Sequence, residues 1–149
     1  MRNFGWASLI LRIISGTGFI IHGVAKLSRG TGGFEKLLTQ LDVPFAQIMS
    51  NIVPYVELLG GICILIGLFT RIISLPLIVV MLTAMFTIHI QYGFSSINTI
   101  GLNENGPVFG PPGYEVNLLY IAILTTLIIL GSGKLSIDEI IKGKKKKLQ

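Results

Sequence analysis

The sequence predicts an all-α fold: a four-helix transmembrane bundle with a short external amphipathic helix. Two observations indicate this fold class. The 149-residue chain is 51% hydrophobic and 13% charged, whereas a soluble domain carries about a quarter charged residues. Apolar stretches that we predict as membrane spans recur at residues 4–27, 52–70, 72–92 and 116–132. A helix needs about 17–25 apolar residues to cross the hydrocarbon core, so we expect a single membrane domain over residues 1–149.

The first predicted span contains three ionisable residues, Arg12, His22 and Lys26. An ionisable group inside a span costs a few kcal/mol or more, so such residues are rare without a partner. At about 100° per residue, the three fall within one arc of about 100°. This helix therefore has a polar stripe that other helices must cover, while Ile10 and Ile14 are left to face lipid.

A short amphipathic helix is predicted over residues 34–41, after a glycine-rich break. Its apolar residues recur at the i, i+3, i+4, i+7 spacing of one helical face, and they are Phe34, Leu37, Leu38 and Leu41. The segment is too short to span the bilayer. We therefore expect it to lie in the interface at the outer surface.

The second predicted span has Glu57 as its one charged residue. Gly60 and Gly67 are seven residues apart, the spacing that Gly16 and Gly23 have in the first span. Small faces of this kind let helices approach closely in lipid, so we interpret the glycines as packing positions.

Cys63, the only cysteine, lies in the middle of this second span. A single cysteine excludes an internal disulfide and a CxxC redox or zinc framework. Because burial among apolar residues suppresses the thiolate, we expect this thiol to be inert.

The third predicted span places Met81, Met85 and His89 on one face at i, i+4, i+8. We interpret the two methionines as core filling. Residues 93–113 contain five glycines and three prolines. We expect an irregular loop there, long enough to act as a lid.

The fourth predicted span is the shortest of the four, at the lower limit of length for a membrane helix. A short cytoplasmic helix is predicted over residues 136–141, and a basic cytoplasmic tail over residues 142–149 follows it. These lysines contribute most of the net charge of +5. Beside a membrane span, a basic tail marks the cytoplasmic side more often than a nucleic-acid interface.

The distribution of lysine and arginine predicts that both termini are cytoplasmic. In this orientation the inner segments hold eight positive residues and the outer loops and rim hold three, Lys26, Arg29 and Lys36. Cytoplasmic segments of membrane proteins carry such an excess of positive residues.

The same topology places His22, Glu57 and His89 about 5–7 Å beneath the outer surface, with Lys26 near the same rim. Intramembrane ionisable groups are functional candidates, so this zone could be a ligand site. It could equally be a structural plug, in which Glu57 pairs with a basic group and ties the helices together. The sequence leaves both interpretations open. In either case we expect Glu57 to lie inside the bundle, within hydrogen-bonding reach of His22 or Lys26.

Arg12 lies about 10 Å from the inner end of its span, at a depth where the other spans carry no acidic residue. We expect its side chain to snorkel to the inner headgroups. The alternatives are hydrogen bonds to backbone carbonyls, to Ser132 or to Asp138, or the binding of an anionic ligand.

These residues resemble motifs of a known family, the DoxX-like membrane proteins. The first span is similar to that family's R-x3-G-x2-F-x2-HG-x2-K signature, here Arg12, Gly16, Phe19, His22, Gly23 and Lys26. The second span resembles its E-x2-GG helix and the turn that ends in arginine, here Glu57, Gly60, Gly61, Gly67 and Arg71. Residues 131–138 resemble its closing G-x-G-x-x-S-x-D segment. The similarity extends from about residue 6 to 139.

The resemblance implies a multi-pass protein of a bacterial or archaeal inner membrane. Some family members are described as subunits of a thiosulfate:quinone oxidoreductase, others as membrane partners of redox-defence proteins. It therefore implies a component of a quinone-linked redox or oxidative-stress complex, in which His22 and Glu57 would contact a quinone head group or relay its proton. Such a component need not be an enzyme by itself.

The sequence has no glycine-rich nucleotide loop and no haem or iron–sulfur ligand set. We therefore expect no covalently bound cofactor and no metal, with a quinone as the candidate ligand and a redox protein as the source of electrons. Partners would be lipid, that redox protein and, as an open alternative, a second copy of the chain, but not nucleic acid. Other functions left open are a non-catalytic assembly subunit and a small-molecule carrier or exporter.

Overall fold

The computed structural model describes residues 4–147, which form a helical bundle with one small sheet. The α-helices are α1 (Phe4–Ser28), α2 (Thr31–Gln40), α3 (Ala46–Ile66), α4 (Thr70–Ala84), α5 (Glu115–Leu130) and α6 (Ile137–Lys147). Helix α4 continues through a π-helical turn (Met85–His89) and a 3-10 turn (Ile90–Tyr92). Strands β1 (Thr99–Asn103) and β2 (Gly106–Phe109) precede α5.

Three helices in the described residues are long and apolar enough to cross a membrane: Phe4–Ser28, Ala46–Ile66 and Thr70–Tyr92. The fourth apolar helix, α5, has 16 residues and is about 24 Å long at ~1.5 Å per residue. Large apolar side chains point outward from all four helices, as on α1, where Ile10 and Ile14 are exposed as the sequence predicted. Such surfaces suit lipid, so the chain is a helical, multi-pass membrane protein.

The four apolar helices pack in a ring, with α1 between α3 and α5, and α4 between the same two helices. The core inside the ring is formed by Phe19, Ile64, Leu77, Met81, Leu124 and Leu127. Met81 and Met85 are both buried, in agreement with their predicted role as core filling. The rings of Phe19 and Tyr120 meet edge to face with centroids 5.1 Å apart, which joins α1 to α5.

The bundle has two ends of different composition. At the end that we call the tail end, the start of α1, the turn between α3 and α4 and residues 131–138 meet, with the Lys134 N–H donating to the Gly5 carbonyl at 3.1 Å. At the opposite end, which we call the hairpin end, α1 finishes, α3 and α5 begin and the small sheet lies. Here the Tyr114 N–H donates to the Gly93 carbonyl at 3.1 Å.

Glycines allow α1 and α3 to approach closely, as the sequence predicted. A Cβ atom at Gly16 would lie 2.9 Å from the Gly61 carbonyl oxygen, and one at Gly61 would lie 2.8 Å from the Gly16 carbonyl oxygen. Gly60 packs instead against Leu77 of α4. Gly67 is not within a span but ends α3, with the left-handed φ of 70° that favours glycine.

Several predicted boundaries were wrong. Helix α3 covers Ala46–Ile66 rather than 52–70, because it begins two turns before Pro54, which lies inside the helix, and Gly67 ends it. Helix α2 covers Thr31–Gln40 rather than 34–41. Two glycines that we predicted as part of a break before the helix belong to its first turn.

The C-terminal helix is also longer than predicted. Helix α6 covers Ile137–Lys147 rather than 136–141, because the lysines predicted as a tail continue the helix. Lysine is a good helix former. The last two residues of the predicted tail, 148–149, lie outside the described part of the chain.

The predicted helical bundle is confirmed in its mostly helical architecture, but the prediction of an irregular loop over 93–113 was wrong for residues 99–109. Residues 99–109 form an antiparallel hairpin in which Asn103 pairs with Gly106. The Asn103 side-chain oxygen accepts a hydrogen bond from the Asn105 N–H at 2.9 Å and stabilises the turn. The hairpin satisfies backbone groups that an irregular loop would leave to water.

Candidate functional site

At the hairpin end, Lys26 of α1 and Glu57 of α3 form an ion pair. The Lys26 Nζ lies 2.6 Å from the Glu57 Oε1 and 2.7 Å from its Oε2, so the ammonium donates to both carboxylate oxygens. The Glu57 side chain is 2% exposed and the Lys26 side chain is 28% exposed. The prediction that Glu57 lies inside the bundle beside Lys26 or His22 is confirmed for Lys26.

Gly23, one turn before Lys26, positions the pair. A Cβ atom at Gly23 would lie 2.7 Å from the Leu58 backbone nitrogen and 2.8 Å from the Pro54 carbonyl oxygen. The backbones of α1 and α3 are therefore in contact within one turn of Glu57. A larger residue at this position would separate the helices and pull the ammonium away from the carboxylate.

The amphipathic helix α2 covers the exposed side of the pair. The Lys26 Nζ lies 4.8 Å from the centroid of the Phe34 ring, a distance at which a cation is attracted to an aromatic face. An ammonium has three N–H donors, and two of them are directed at Glu57. The third is left near the Phe34 ring, on the side where Lys26 is partly exposed.

His22 lies one turn before Lys26 on α1 and its side chain is exposed. It makes no hydrogen bond within the part of the chain that the structure describes. Residues four apart lie on the same side of a helix, so the imidazole is near the Lys26 side chain at the bundle surface. In a membrane it would face lipid or whatever molecule binds there.

His89 does not join Lys26 and Glu57. Its Nδ1 lies 2.9 Å from the Pro112 carbonyl oxygen, which ties the π-helical turn to the segment before α5. A carbonyl oxygen only accepts hydrogen bonds, so Nδ1 carries the ring proton. In the neutral ring Nε2 is then a free hydrogen-bond acceptor. Helix α4 lies across the ring from α1, which explains why this histidine has a different partner.

Arg12 forms a second polar cluster, at the tail end. Its guanidinium is buried, with the residue 1% exposed, and donates to five backbone carbonyls at 2.6–3.1 Å. These belong to Ile64, Leu65, Ser132, Lys134 and Leu135. The expectation that Arg12 snorkels to the headgroups was wrong, and the carbonyl alternative is confirmed.

The reason is that helix ends leave carbonyls without intrahelical partners. Ile64 and Leu65 are in the last turn of α3, and residues 132–135 form the turn that follows α5. Their carbonyls and the negative ends of the helix dipoles compensate the buried charge, so Arg12 needs no carboxylate. A guanidinium has five N–H groups, and Arg12 uses them to hold two helix ends together.

Asp138 completes this cluster by binding the start of α4. Its carboxylate oxygens accept hydrogen bonds from the backbone N–H groups of Phe69, at 2.8 Å, and Thr70, at 3.2 Å. The Asp138 N–H in turn donates to the Gly67 carbonyl at 3.0 Å. Backbone carbonyls were only one alternative among the predicted partners of Arg12, and the partners of Asp138 were not predicted, because carbonyl and N–H groups at helix ends are present in every helix and leave no mark in the sequence.

The described residues contain no group of three or more histidine, cysteine, aspartate or glutamate side chains that could hold a metal ion. Cys63 is a free, half-buried thiol on α3. Its predicted inertness stays a prediction.

The sequence model of the DoxX family matches residues 7–90, more than half of the chain. This protein belongs to the DoxX family. The matched region contains Arg12, Lys26 and Glu57 and stops before the turn over residues 131–138.

Two relatives show how far this similarity extends. The Bacillus subtilis protein named "Putative oxidoreductase CatD" is 26% identical, with 97% of this chain and 94% of the relative covered. A Haemophilus influenzae protein described as uncharacterized is 29% identical, with 93% of this chain and 85% of the relative covered. No solved structure matches the chain.

Proposed function

We propose that this DoxX-family protein is a membrane component of a quinone-linked redox or oxidative-stress system. In this proposal Lys26, Glu57 and His22 form the site that contacts a quinone head group in the outer half of the bundle. A redox partner protein supplies the electrons. The observation that carries the proposal is the buried, bidentate Lys26–Glu57 pair with one ammonium N–H left over.

The chemistry of a quinone suits these residues. A quinone carbonyl accepts hydrogen bonds, which the third Lys26 N–H and an N–H of the His22 imidazole can donate. Reduction adds protons as well as electrons, and carboxylates and imidazoles are among the groups that transfer protons in enzymes. Lys26 and His22 are both reachable from the lipid side, where a quinone resides. A relative carries the word oxidoreductase in its name, which supports a redox function.

The site position rests on a proposed topology of four spans with both termini cytoplasmic. Helix α5 would be the fourth span, supported by its packing along α1 and α4 from one end of the bundle to the other. The tail end would face the cytoplasm, because Arg71, Lys134 and the five lysines of α6 lie there, while Lys26, Arg29 and Lys36 lie at the hairpin end.

Single-cysteine labelling tests this orientation. In a Cys63→Ser background, a membrane-impermeant maleimide added to intact cells should modify Asn105→Cys in the hairpin turn and spare Gly143→Cys in α6. Labelling of the α6 probe alone would reverse the orientation and move the proposed site to the cytoplasmic half.

Quinone binding is tested on the full-length protein in nanodiscs, by titration with short-chain ubiquinone and menaquinone analogues. The key variant replaces the ion pair by apolar residues, Lys26→Met with Glu57→Met. Such a replacement is often neutral for stability, so a folded bundle is expected, with quinone binding reduced by roughly tenfold or more. Glu104→Gln, which removes an exposed carboxylate in the hairpin turn, is the matched control and should bind as the wild type does.

The result that contradicts the site is a folded double variant with unchanged quinone affinity, which would leave the pair as a structural plug. Two other outcomes distinguish the remaining functions. Co-purification of a partner without quinone binding would favour a non-catalytic assembly subunit. Accumulation of a small molecule in liposomes that contain only this protein would favour a carrier.

A further inference from the structure

A cavity of about 300 Å³ opens at the tail end of the bundle, away from the Lys26–Glu57 pair. It is bounded by the start of α1, the start of α4, the turn after α5 and the first turns of α6. Its lining includes the cations Arg71, Lys134 and Lys142 and one carboxylate, Glu139. The volume lies at the lower end of the range of small-molecule sites, about 300–1,000 Å³.

The charge of this lining is not compensated within the described residues. Three cations face one carboxylate, and the ion pair found in the described part of the chain is that of Lys26 and Glu57. Like charges placed around one cavity repel each other, so the arrangement is stabilised when an anion enters. The cavity therefore favours a ligand with negative charge.

Two of the cations are held in position by their surroundings. The Arg71 Nη2 donates to the Ile129 carbonyl at 3.2 Å, which leaves the other guanidinium N–H groups available. The Lys134 Nζ lies 4.9 Å from the centroid of the Trp6 ring. The turn that carries Lys134 fits closely against α1, because a Cβ atom at Gly133 would lie 2.6 Å from the Gly5 carbonyl oxygen. The cavity is thus shaped by the backbone, and two of its three cations are held by contacts with neighbouring residues.

We propose that this cavity binds a phosphate group. Arginine presents paired N–H donors that match phosphate oxygens, and lysines add point charges. The phosphate could be that of an anionic phospholipid or of a soluble ion, and the surroundings suit the lipid. Exposed apolar side chains, Ile72, Ile129 and Leu135, adjoin the cavity residues in the chain and would contact acyl chains. Basic pockets at the cytoplasmic ends of membrane helices bind anionic lipid head groups.

The test uses the full-length protein in detergent and native mass spectrometry. The probes are phosphatidylglycerol, phosphatidylcholine as the zwitterionic comparison, and inorganic phosphate as a competitor. The variant Arg71→Gln with Lys142→Gln removes two cavity cations. The matched control, Arg29→Gln with Lys36→Gln, removes one arginine and one lysine from the hairpin end. A second cavity variant, Lys134→Gln with Lys142→Gln, keeps the Arg71 contact with Ile129 and so protects the fold.

We expect phosphatidylglycerol adducts on the wild type and on the control, with affinity weakened roughly tenfold or more in both cavity variants. Weaker adducts with phosphatidylcholine would support a lipid as the source. Displacement by millimolar inorganic phosphate, with no preference for phosphatidylglycerol, would support a soluble phosphate in the same cavity. Equal binding of every probe by the cavity variants and the wild type, or no binding by the wild type, would overturn the proposal.

Discussion

The two ends of the bundle treat a buried charge in different ways. At the tail end Arg12 is fully buried and all its contacts are with backbone carbonyls, which no titration can remove. At the hairpin end Lys26 meets a side-chain carboxylate, and the ammonium remains partly exposed beside the exposed His22. A charge satisfied by backbone is fixed, whereas a charge satisfied by another titratable group can respond to a ligand or a proton. The comparison therefore favours a structural role for Arg12 and leaves the Lys26–Glu57 pair as the candidate for chemistry.

The largest effect is expected for Arg12→Met. The substitution leaves four carbonyls without their side-chain donor, because that of Ile64 still accepts from the Gly67 N–H at 3.1 Å. Each unsatisfied buried polar group costs about 1–3 kcal/mol, and the sum, roughly 4 kcal/mol or more, approaches the stability of a whole domain. We expect loss of folded protein in detergent, measured by size-exclusion yield and thermal denaturation. Arg12→Lys keeps the charge but has fewer donors, so it should be intermediate. An Arg12→Met variant as stable as the wild type would refute the structural role.

The next largest effect is expected for Gly67→Ala, which disturbs the same cluster through the backbone. A left-handed φ costs a non-glycine residue about 1–2 kcal/mol, and the new Cβ would lie 2.5 Å from the Ser136 Cβ and 2.8 Å from the Arg12 Cζ. We expect destabilisation of about 2–4 kcal/mol in chemical denaturation.

Gly32→Ala in α2 is the control for that substitution. A Cβ atom at Gly32 would meet nothing within 4 Å, and alanine is the better helix former. Its effect should be neutral or slightly stabilising. If Gly32→Ala destabilised the protein as much as Gly67→Ala does, crowding at Arg12 would not be the cause of the destabilisation.

A smaller effect is expected at the hairpin end, from a double-mutant cycle of Lys26→Met and Glu57→Met. Each single change leaves one charged or polar partner unsatisfied, so each should destabilise more than the double change does. We expect a coupling free energy of about 1–3 kcal/mol, since Lys26 is partly exposed and solvent weakens the pair. Additive single effects in thermal denaturation would show that the 2.6 Å contact contributes no coupling.

The smallest effect is expected for Asp138→Asn. The amide keeps one acceptor oxygen for the N–H groups of Phe69 and Thr70 but loses the negative charge at the start of α4. A lost or weakened N-cap costs about 0.5–2 kcal/mol, and we expect about 1 kcal/mol. Asp138→Ala should cost more. A larger loss from the asparagine than from the alanine would contradict capping as the role of Asp138.

Much of the hairpin end could be predicted from the sequence. Hydrophobic periodicity placed Lys26 and His22 on the buried side of the first helix, and equal depth placed Glu57 opposite them. Only two helices and one acidic residue were involved, so few pairings were available. The structure separated the two basic candidates, because Lys26 contacts Glu57 of α3 and His22 does not. Residues four apart differ by only about 40° around a helix, a rotation that depth alone cannot resolve.

The tail end could not be predicted in the same way. The partners of Arg12 are backbone groups of residues that are far apart in the chain, and every helix end offers similar carbonyls. The glycines at 67, 131 and 133 were visible as turn formers, but nothing in the sequence says that their turns meet.

The β-hairpin at the opposite end was also missed. Its strands are short, and glycine and proline within them conceal the alternation that predicts a strand.

The contacts of Arg12 also have a consequence for how the chain is made. The ribosome completes α1 first, yet the carbonyls of Ser132, Lys134 and Leu135 exist only after nearly the whole chain has been translated. Until then a bare guanidinium in hydrocarbon opposes stable insertion of α1. The first helix should therefore stay at the translocon, or with an insertase, until α3 and the turn after α5 arrive. A chain truncated before residue 131 would lack three of the five carbonyls that Arg12 binds, so the charge in its first helix would be only partly compensated.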